Sequence, residues 1–148
     1  MCARREVVTG STAAGRAAFA RRAWGEAYDA LSEADRGVPL ELDDLERLAT
    51  AAYLVGRDDA ELWTRTFHEC ARAGDPARAA RCAFMLCFGL FTRGEHARAA
   101  GWLARAQKVL ASEATEGPGQ GYVLVLEALG QLESGEPEAA LAGFERAA

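Results

Sequence analysis

The sequence predicts an all-α fold built from antiparallel helical hairpins, and three observations support this. Apolar residues recur every three to four positions through windows rich in Ala, Leu, Glu and Arg, which is the spacing of amphipathic helices. Val and Thr are sparse and Ile does not occur, so strand signals are weak. Glycine and proline divide the 148 residues into about eight segments of helical length.

Breaks between the predicted helices are marked by glycine with an acidic residue or proline within the next two positions. They fall at Gly37-Val38-Pro39, Gly56-Arg57-Asp58, Gly74-Asp75-Pro76, Gly94-Glu95, Gly117-Pro118-Gly119 and Gly135-Glu136-Pro137. Gly74 ends one helix, and Asp75 caps the next with proline in its first turn. Pro137 opens the last helix in the same way. The glycines at 117, 119 and 121 predict a flexible loop between repeats.

Composition and charge exclude two classes of function. The chain is half apolar and about one quarter charged, with a formal net charge of −5, which is typical of a folded domain with a real core. The longest apolar run, Cys82 to Leu90, is about half the length that a membrane-spanning helix needs. The negative balance disfavours a nucleic-acid surface. We therefore expect neither a membrane nor a nucleic-acid partner.

The reactive side chains form no recognisable catalytic or metal-binding pattern. The five residues that could bind a soft metal, which lack ligand spacing, are His68, Cys70, Cys82, Cys87 and His96. The serines lie at positions that helix capping explains, and no acid–base pair stands out. We expect no enzyme activity, metal or cofactor. Without a signal peptide or a disulfide framework, the expected location is the cytoplasm.

Internal repeats are visible along the chain. The segment from Gly94 to Ala106 matches the segment from Gly135 to Ala147, with small and large residues in register. A second pattern places Ala27, Leu31, Ala34 and Pro39 at small, large, small and proline positions. The four alanines taken as equivalent are Ala27, Ala60, Ala99 and Ala140. Their spacing starts near the helix-turn-helix period of roughly 34 residues and lengthens along the chain.

This pattern resembles the tetratricopeptide repeat family. The resemblance implies a right-handed superhelical stack of about four helix hairpins in a single repeat domain. The expected units are approximately 9–39, 40–74, 75–114 and 117–148. The clamp with which some family members hold an acidic carboxyl terminus needs Lys and Asn on the first helices. The chain has no Asn and its single lysine, Lys108, falls on a second helix, so that mode is excluded.

The resemblance also implies a partner-binding groove. First helices line the concave face of such arrays, and the expected inward residues here are Phe19, Tyr53, Phe84, Phe88, Phe91 and Tyr122. The run from Cys82 to Phe91 is apolar all round, which favours a helix buried in the middle of the stack. Groove and core therefore remain alternatives for its aromatic residues, and a protein or peptide is the expected partner.

Alternating arginine–alanine helices, with the phrase Gly101-Trp102-Leu103-Ala104-Arg105-Ala106, resemble the repeat region of actinobacterial regulators of the LuxR type. The resemblance implies a sensor module of a transcriptional regulator and a fragment of a longer protein. Leu141 and Phe144 would then present an uncovered face that favours homodimerisation. A free-standing peptide-binding scaffold is the alternative, and a ligand-binding accessory domain is the third hypothesis.

Overall fold

The computed structural model describes residues 2–111 and 117–148, with side chains from residue 10 onward. These residues form eight α-helices and no strand, which confirms the all-α prediction. The helices are α1 (Cys2–Ala20), α2 (Trp24–Gly37), α3 (Leu42–Leu54), α4 (Ala60–Arg72), α5 (Pro76–Thr92), α6 (His96–Leu110), α7 (Pro118–Glu133) and α8 (Pro137–Ala147).

Most of the predicted helix boundaries are confirmed. The Asp75 carboxylate accepts a hydrogen bond from the Arg78 backbone N–H at 3.0 Å, and Pro76 lies in the first turn of α5. Pro137 opens α8 in the same way. The glycines at 119 and 121 were expected in a loop, but both lie within α7.

Five helix ends share one turn geometry. The residue in the left-handed conformation is Arg22, Gly56, Gly74, Gly94 or Gly135, with φ between 63° and 79°. In each turn, the next backbone N–H donates to a carbonyl five residues earlier, as from Glu95 to Leu90 at 2.9 Å. This is the Schellman arrangement, which satisfies carbonyls left unpaired at a helix end. Arg22 is the one non-glycine residue with positive φ in the described chain.

The chain forms two compact units, Met1–Thr66 and Phe67–Ala148, with the boundary inside α4. In the first unit α2 packs on α1, and α3 packs on both. In the second unit α6 packs on α5 and α8 on α7, while α7 also packs on α5 and α6. Each unit thus contains a hairpin covered by the following helix.

Small residues allow the paired helices to approach closely. A methyl group added at Gly15 would lie 2.6 Å from Leu31 Cγ, and one at Gly143 would lie 2.9 Å from Ala128 Cβ. One added at Gly119 would lie 2.6 Å from Leu110 Cδ2 and 3.1 Å from the Cα of Ala77. Gly119 is therefore a packing residue at the crossing of α7 with the preceding hairpin.

One member of the alanine register differs from the expectation. Ala27, Ala99 and Ala140 are each the buried fourth residue of their helix. The fourth residue of α4 is Trp63, which is also buried, and Ala60 is the first. The turn before α4 is longer than the others, which shifts the register. Since Trp63 fills an alanine position, the close helix approach that a small side chain permits is not available there.

An ion pair with a buried carboxylate links two helices of the first unit, and no sequence pattern indicated it. Asp44 on α3 is 1% exposed. Its carboxylate accepts hydrogen bonds from Arg16 Nε at 2.8 Å and from Arg47 Nη1 at 2.8 Å. These guanidinium groups hold the pKa of Asp44 below its usual range, and Arg16 contributes most. Burial of the carboxylate opposes this shift.

No described helix is long and apolar enough to cross a membrane.

Candidate partner-binding surface

Helix α5 has two faces, which corrects the expectation that it is buried all round. Its buried residues are Ala79, Ala80, Cys82, Ala83, Leu86, Cys87 and Leu90. Phe84, Phe88 and Phe91 are only partly buried, and they lie at i, i+4 and i+7 along the helix. That spacing places the three rings on one stripe. The residue order along α5 therefore separates an aliphatic core face from an aromatic face.

Three of the predicted groove residues come together in the second unit. The rings of Phe84 and Phe88 stack with centroids 6.0 Å apart and planes 12° from parallel. The Tyr122 ring, from α7, lies 5.4 Å from that of Phe84 at an angle of 48°. All three are partly exposed. We call Phe84, Phe88 and Tyr122 the aromatic cluster.

The fourth predicted groove residue of the second unit, Phe91, makes a different ring contact. Its ring meets the His96 ring edge-on at 5.4 Å. Phe91 also packs against a buried group that consists of Cys87, Leu90, Ala99 and Leu126. Phe84 touches the same buried group, so it belongs partly to the core.

The remaining two predicted groove residues lie in the first unit. Phe19 packs edge-on against Trp24 with ring centroids 5.1 Å apart. It also covers a buried group that consists of Ala18, Ala27 and Ala51. Tyr53 lies on α3 and is 43% exposed. These two aromatic residues belong to a different unit from the aromatic cluster.

The hairpin that carries most of the aromatic cluster is basic. Residues 76–110 contain six arginine or lysine residues and one glutamate. Arg81 is three residues before Phe84 and seven before Phe88, which places it on the same stripe of α5. Exposed aromatic rings beside guanidinium groups can bind apolar side chains and carboxylates together.

The last hairpin has the opposite character. Residues 118–148 contain five glutamates and one arginine. Leu141, one of the two residues expected at a self-association face, is 60% exposed, and Phe144 is partly buried. Leu132 on α7 is 51% exposed and was not predicted.

Cys70, Cys82 and Cys87 are buried and form no disulfide among the described residues. Burial raises the pKa of Cys87 to about 11, and its Sγ donates to the Ala99 carbonyl at 3.3 Å. No described group of three or more His, Cys, Asp or Glu could hold a metal ion.

A cavity of about 500 Å³ lies at the start of α7 and the end of α8, with Gln120 and Arg146 among its lining residues. The other residues that line it are Gly117, Pro118, Gly121, Leu124 and Ala147.

Comparison of the chain with protein-family models, curated proteins and solved structures found no match. The function is therefore inferred from the surfaces of the molecule itself.

Proposed function

We propose that the chain is a non-catalytic repeat module that binds a protein or peptide partner through the aromatic cluster. The observation that carries the proposal is a group of three partly exposed rings from two helices, in which Phe84 lies 6.0 Å from Phe88 and 5.4 Å from Tyr122. Phe84 and Phe88 lie on the basic hairpin. Aromatic residues presented by packed helices offer contact area at a small entropic cost, because their side chains have few rotatable bonds.

A tetratricopeptide-type stack of about four hairpins is the architecture that we propose for this module. Each unit covers a hairpin with the following helix, as adjacent repeats do in a solenoid. The left-handed turn residues that follow α1, α3, α5 and α7 are Arg22, Gly56, Gly94 and Gly135. Their spacing starts at the family's period of about 34 residues and lengthens along the chain, which supports this architecture.

The chemistry of the surface supports one class of partner. Stacked rings accept an aromatic or leucine side chain, and the excess of arginine on α5 and α6 favours acidic residues beside it. We therefore expect a short acidic peptide segment with at least one large apolar anchor.

Selection from a random peptide library tests the proposal. A phage-displayed library of short random peptides is panned on the wild-type chain and, separately, on Phe88→Ala. We expect peptides with acidic and aromatic or leucine residues to be enriched on the wild type and to bind Phe88→Ala at least tenfold more weakly. Leu54→Ala, at an exposed leucine of the first unit, is the matched control and should bind like the wild type. Equal enrichment on Phe88→Ala would refute the proposal.

The wider role that we propose is the sensor region of a LuxR-type regulator, supported by the arginine–alanine helices and the Gly101–Ala106 phrase. Partner binding would then be passed to an attached DNA-binding domain in the cytoplasm. The coding sequence after codon 148 tests this role. An in-frame helix-turn-helix would support it, whereas a stop codon would favour the alternative of a free-standing peptide-binding scaffold.

A further inference from the structure

We infer that the last hairpin carries a second docking surface, one that receives a basic amphipathic helix. The surface consists of Val125 and Leu132 on α7 with Leu141 and Phe144 on α8, and we call it the open face. It shares no residue with the aromatic cluster and does not depend on the proposed function.

The preceding hairpin shows how such a face is covered. Helix α7 lies against α5 and α6, with the Tyr122 ring on Phe84 and Leu126 in the group formed by Cys87, Leu90 and Ala99. At the edge of this interface, Gln107 Nε2 donates to Glu127 Oε1 at 2.8 Å. An apolar face of a hairpin is thus covered by one helix with polar contacts at its rim.

The open face is the continuation of that interface, one repeat further along the chain. The equivalent turns at Gly94 and Gly135 set the register between the two hairpins. In this register Phe84 corresponds to Val125, Phe91 to Leu132 and Leu103 to Phe144.

Val125, Leu132 and Phe144 are apolar, like the residues to which they correspond in the preceding hairpin. None of the three is fully buried. Leu132 is 51% exposed, and Leu141, which lies three residues before Phe144 on the same helix, is 60% exposed. The open face is therefore apolar, like the helix-covered face of the preceding hairpin, and no described helix packs on it.

The negative charge of the last hairpin favours a basic helix on the open face. With five glutamates and one arginine in residues 118–148, two copies of this hairpin would bring like charges together. A helix with Lys or Arg around an apolar stripe would instead pair with Glu138 and Glu145, which lie three residues before and four residues after Leu141 on α8. Glu127 and Glu133 contact the preceding hairpin.

Two synthetic peptides test this inference. Both have the same length, about four helical turns, and the same proportions of Leu, Ala and Lys. One has its leucines at i, i+3, i+4 and i+7, and the other is a scramble without an apolar stripe. Binding to the full chain is measured by fluorescence anisotropy. We expect the amphipathic peptide to bind at least tenfold more tightly than the scramble, with affinity that falls as salt rises.

Variants of the chain locate the binding. Leu141→Ser should weaken the amphipathic peptide at least tenfold, whereas the matched variant Leu54→Ser on α3 should bind like the wild type. Thermal melting checks that both variants remain folded, as expected for exposed leucines. Equal binding of the scramble, or equal effects of the two variants, would overturn the inference.

Two further outcomes separate this face from the alternatives. A dimer of the wild-type chain that forms without peptide and that Leu141→Ser disperses would show that a second copy is the occupant, and would also overturn the inference. Phe88→Ala should leave the basic peptide bound while weakening the acidic one. The proposals for the two docking surfaces can therefore be refuted independently.

Discussion

Arg22 shows how a single residue can be placed against its conformational preference. Four of the five Schellman turns use glycine, which adopts positive φ without a steric penalty, but Arg22 has φ of 63°. A side chain with a Cβ atom is strained in this region by about 1 kcal/mol. The surrounding turn is nevertheless complete, since Ala23 N–H donates to Ala18 O at 2.9 Å.

Arg22→Gly should therefore stabilise the protein by about 0.5 to 1 kcal/mol. Urea unfolding followed by circular dichroism measures the change. Gly94→Ala, the reciprocal substitution at an equivalent turn, should destabilise it by about 1 kcal/mol. If Arg22→Gly lowers the unfolding midpoint, Arg22 does not occupy the left-handed turn position.

Asp44 is the residue that links stability to pH. Its hydrogen bonds to Arg16 and Arg47 lower its pKa, and those of Asp35 to Arg65 lower that of Asp35. The folded chain therefore binds fewer protons than the unfolded chain just below the ordinary carboxyl pKa of about 3.9. The stabilisation is complete above that value and is lost as pH falls through the lowered pKa of the folded state.

We expect Asp44→Asn to cost about 2 kcal/mol at pH 7, because a buried charged hydrogen-bonding group is lost. Between pH 5 and 2.5, the variant should lose less stability than the wild type does. Denaturation midpoints across this range measure both effects, with the exposed Asp29→Asn as control. Parallel pH profiles for Asp44→Asn and the wild type would contradict the assignment.

At the scale of the helix, close packing depends on a glycine that the sequence suggested was a loop residue. Gly119 lies in α7 against Ala77 and Leu110, where an added methyl group has no room. Gly130 lies in the same helix with nothing within 4 Å of an added methyl group. The two positions separate steric packing from helix propensity.

Gly119→Ala should destabilise the chain by about 1 to 3 kcal/mol through overpacking against the backbone of α5. Gly130→Ala should instead stabilise it by up to about 1 kcal/mol, because alanine favours the helix. Thermal melting of both variants under the same conditions is the measurement. An unchanged or higher melting temperature for Gly119→Ala would place α7 further from α5 than described.

Most helices and turns could be predicted because their signals are local, but the turn at Arg22 could not, since it contains no glycine or proline. Gly74, Asp75 and Pro76 specify a helix end and the next helix start within three adjacent residues. The register of α4 could not be predicted, because a longer turn moves Trp63 into the place expected for Ala60. Burial of Asp44 was also hidden, since its partner Arg16 lies on a different helix, far away in the sequence.

The candidate site was predicted in part for a similar reason. The i, i+4, i+7 spacing of Phe84, Phe88 and Phe91 is visible in the sequence. Spacing alone does not show which rings a neighbouring helix covers. The sequence therefore does not distinguish Phe91, which packs against a buried group, from Phe88, which stacks on Phe84. The grouping of Phe84 with Tyr122 depends on contact between α5 and α7.

At the scale of the whole molecule, charge is divided between successive hairpins. Residues 76–110 are basic and residues 118–148 are acidic. We propose that these hairpins bind partners of opposite charge, an acidic peptide at the aromatic cluster and a basic helix at the open face. Electrostatic complementarity of this kind contributes to partner choice more than to affinity.

The most direct test of the central claim is an NMR titration of the isotope-labelled chain with the acidic peptide obtained by selection. We predict that the aromatic side-chain signals of Phe84, Phe88 and Tyr122 shift in a saturable manner. Those of Phe19 and Tyr53 in the first unit should stay unchanged. Saturable shifts confined to Phe19 and Tyr53, with the aromatic cluster unaffected, would contradict the claim.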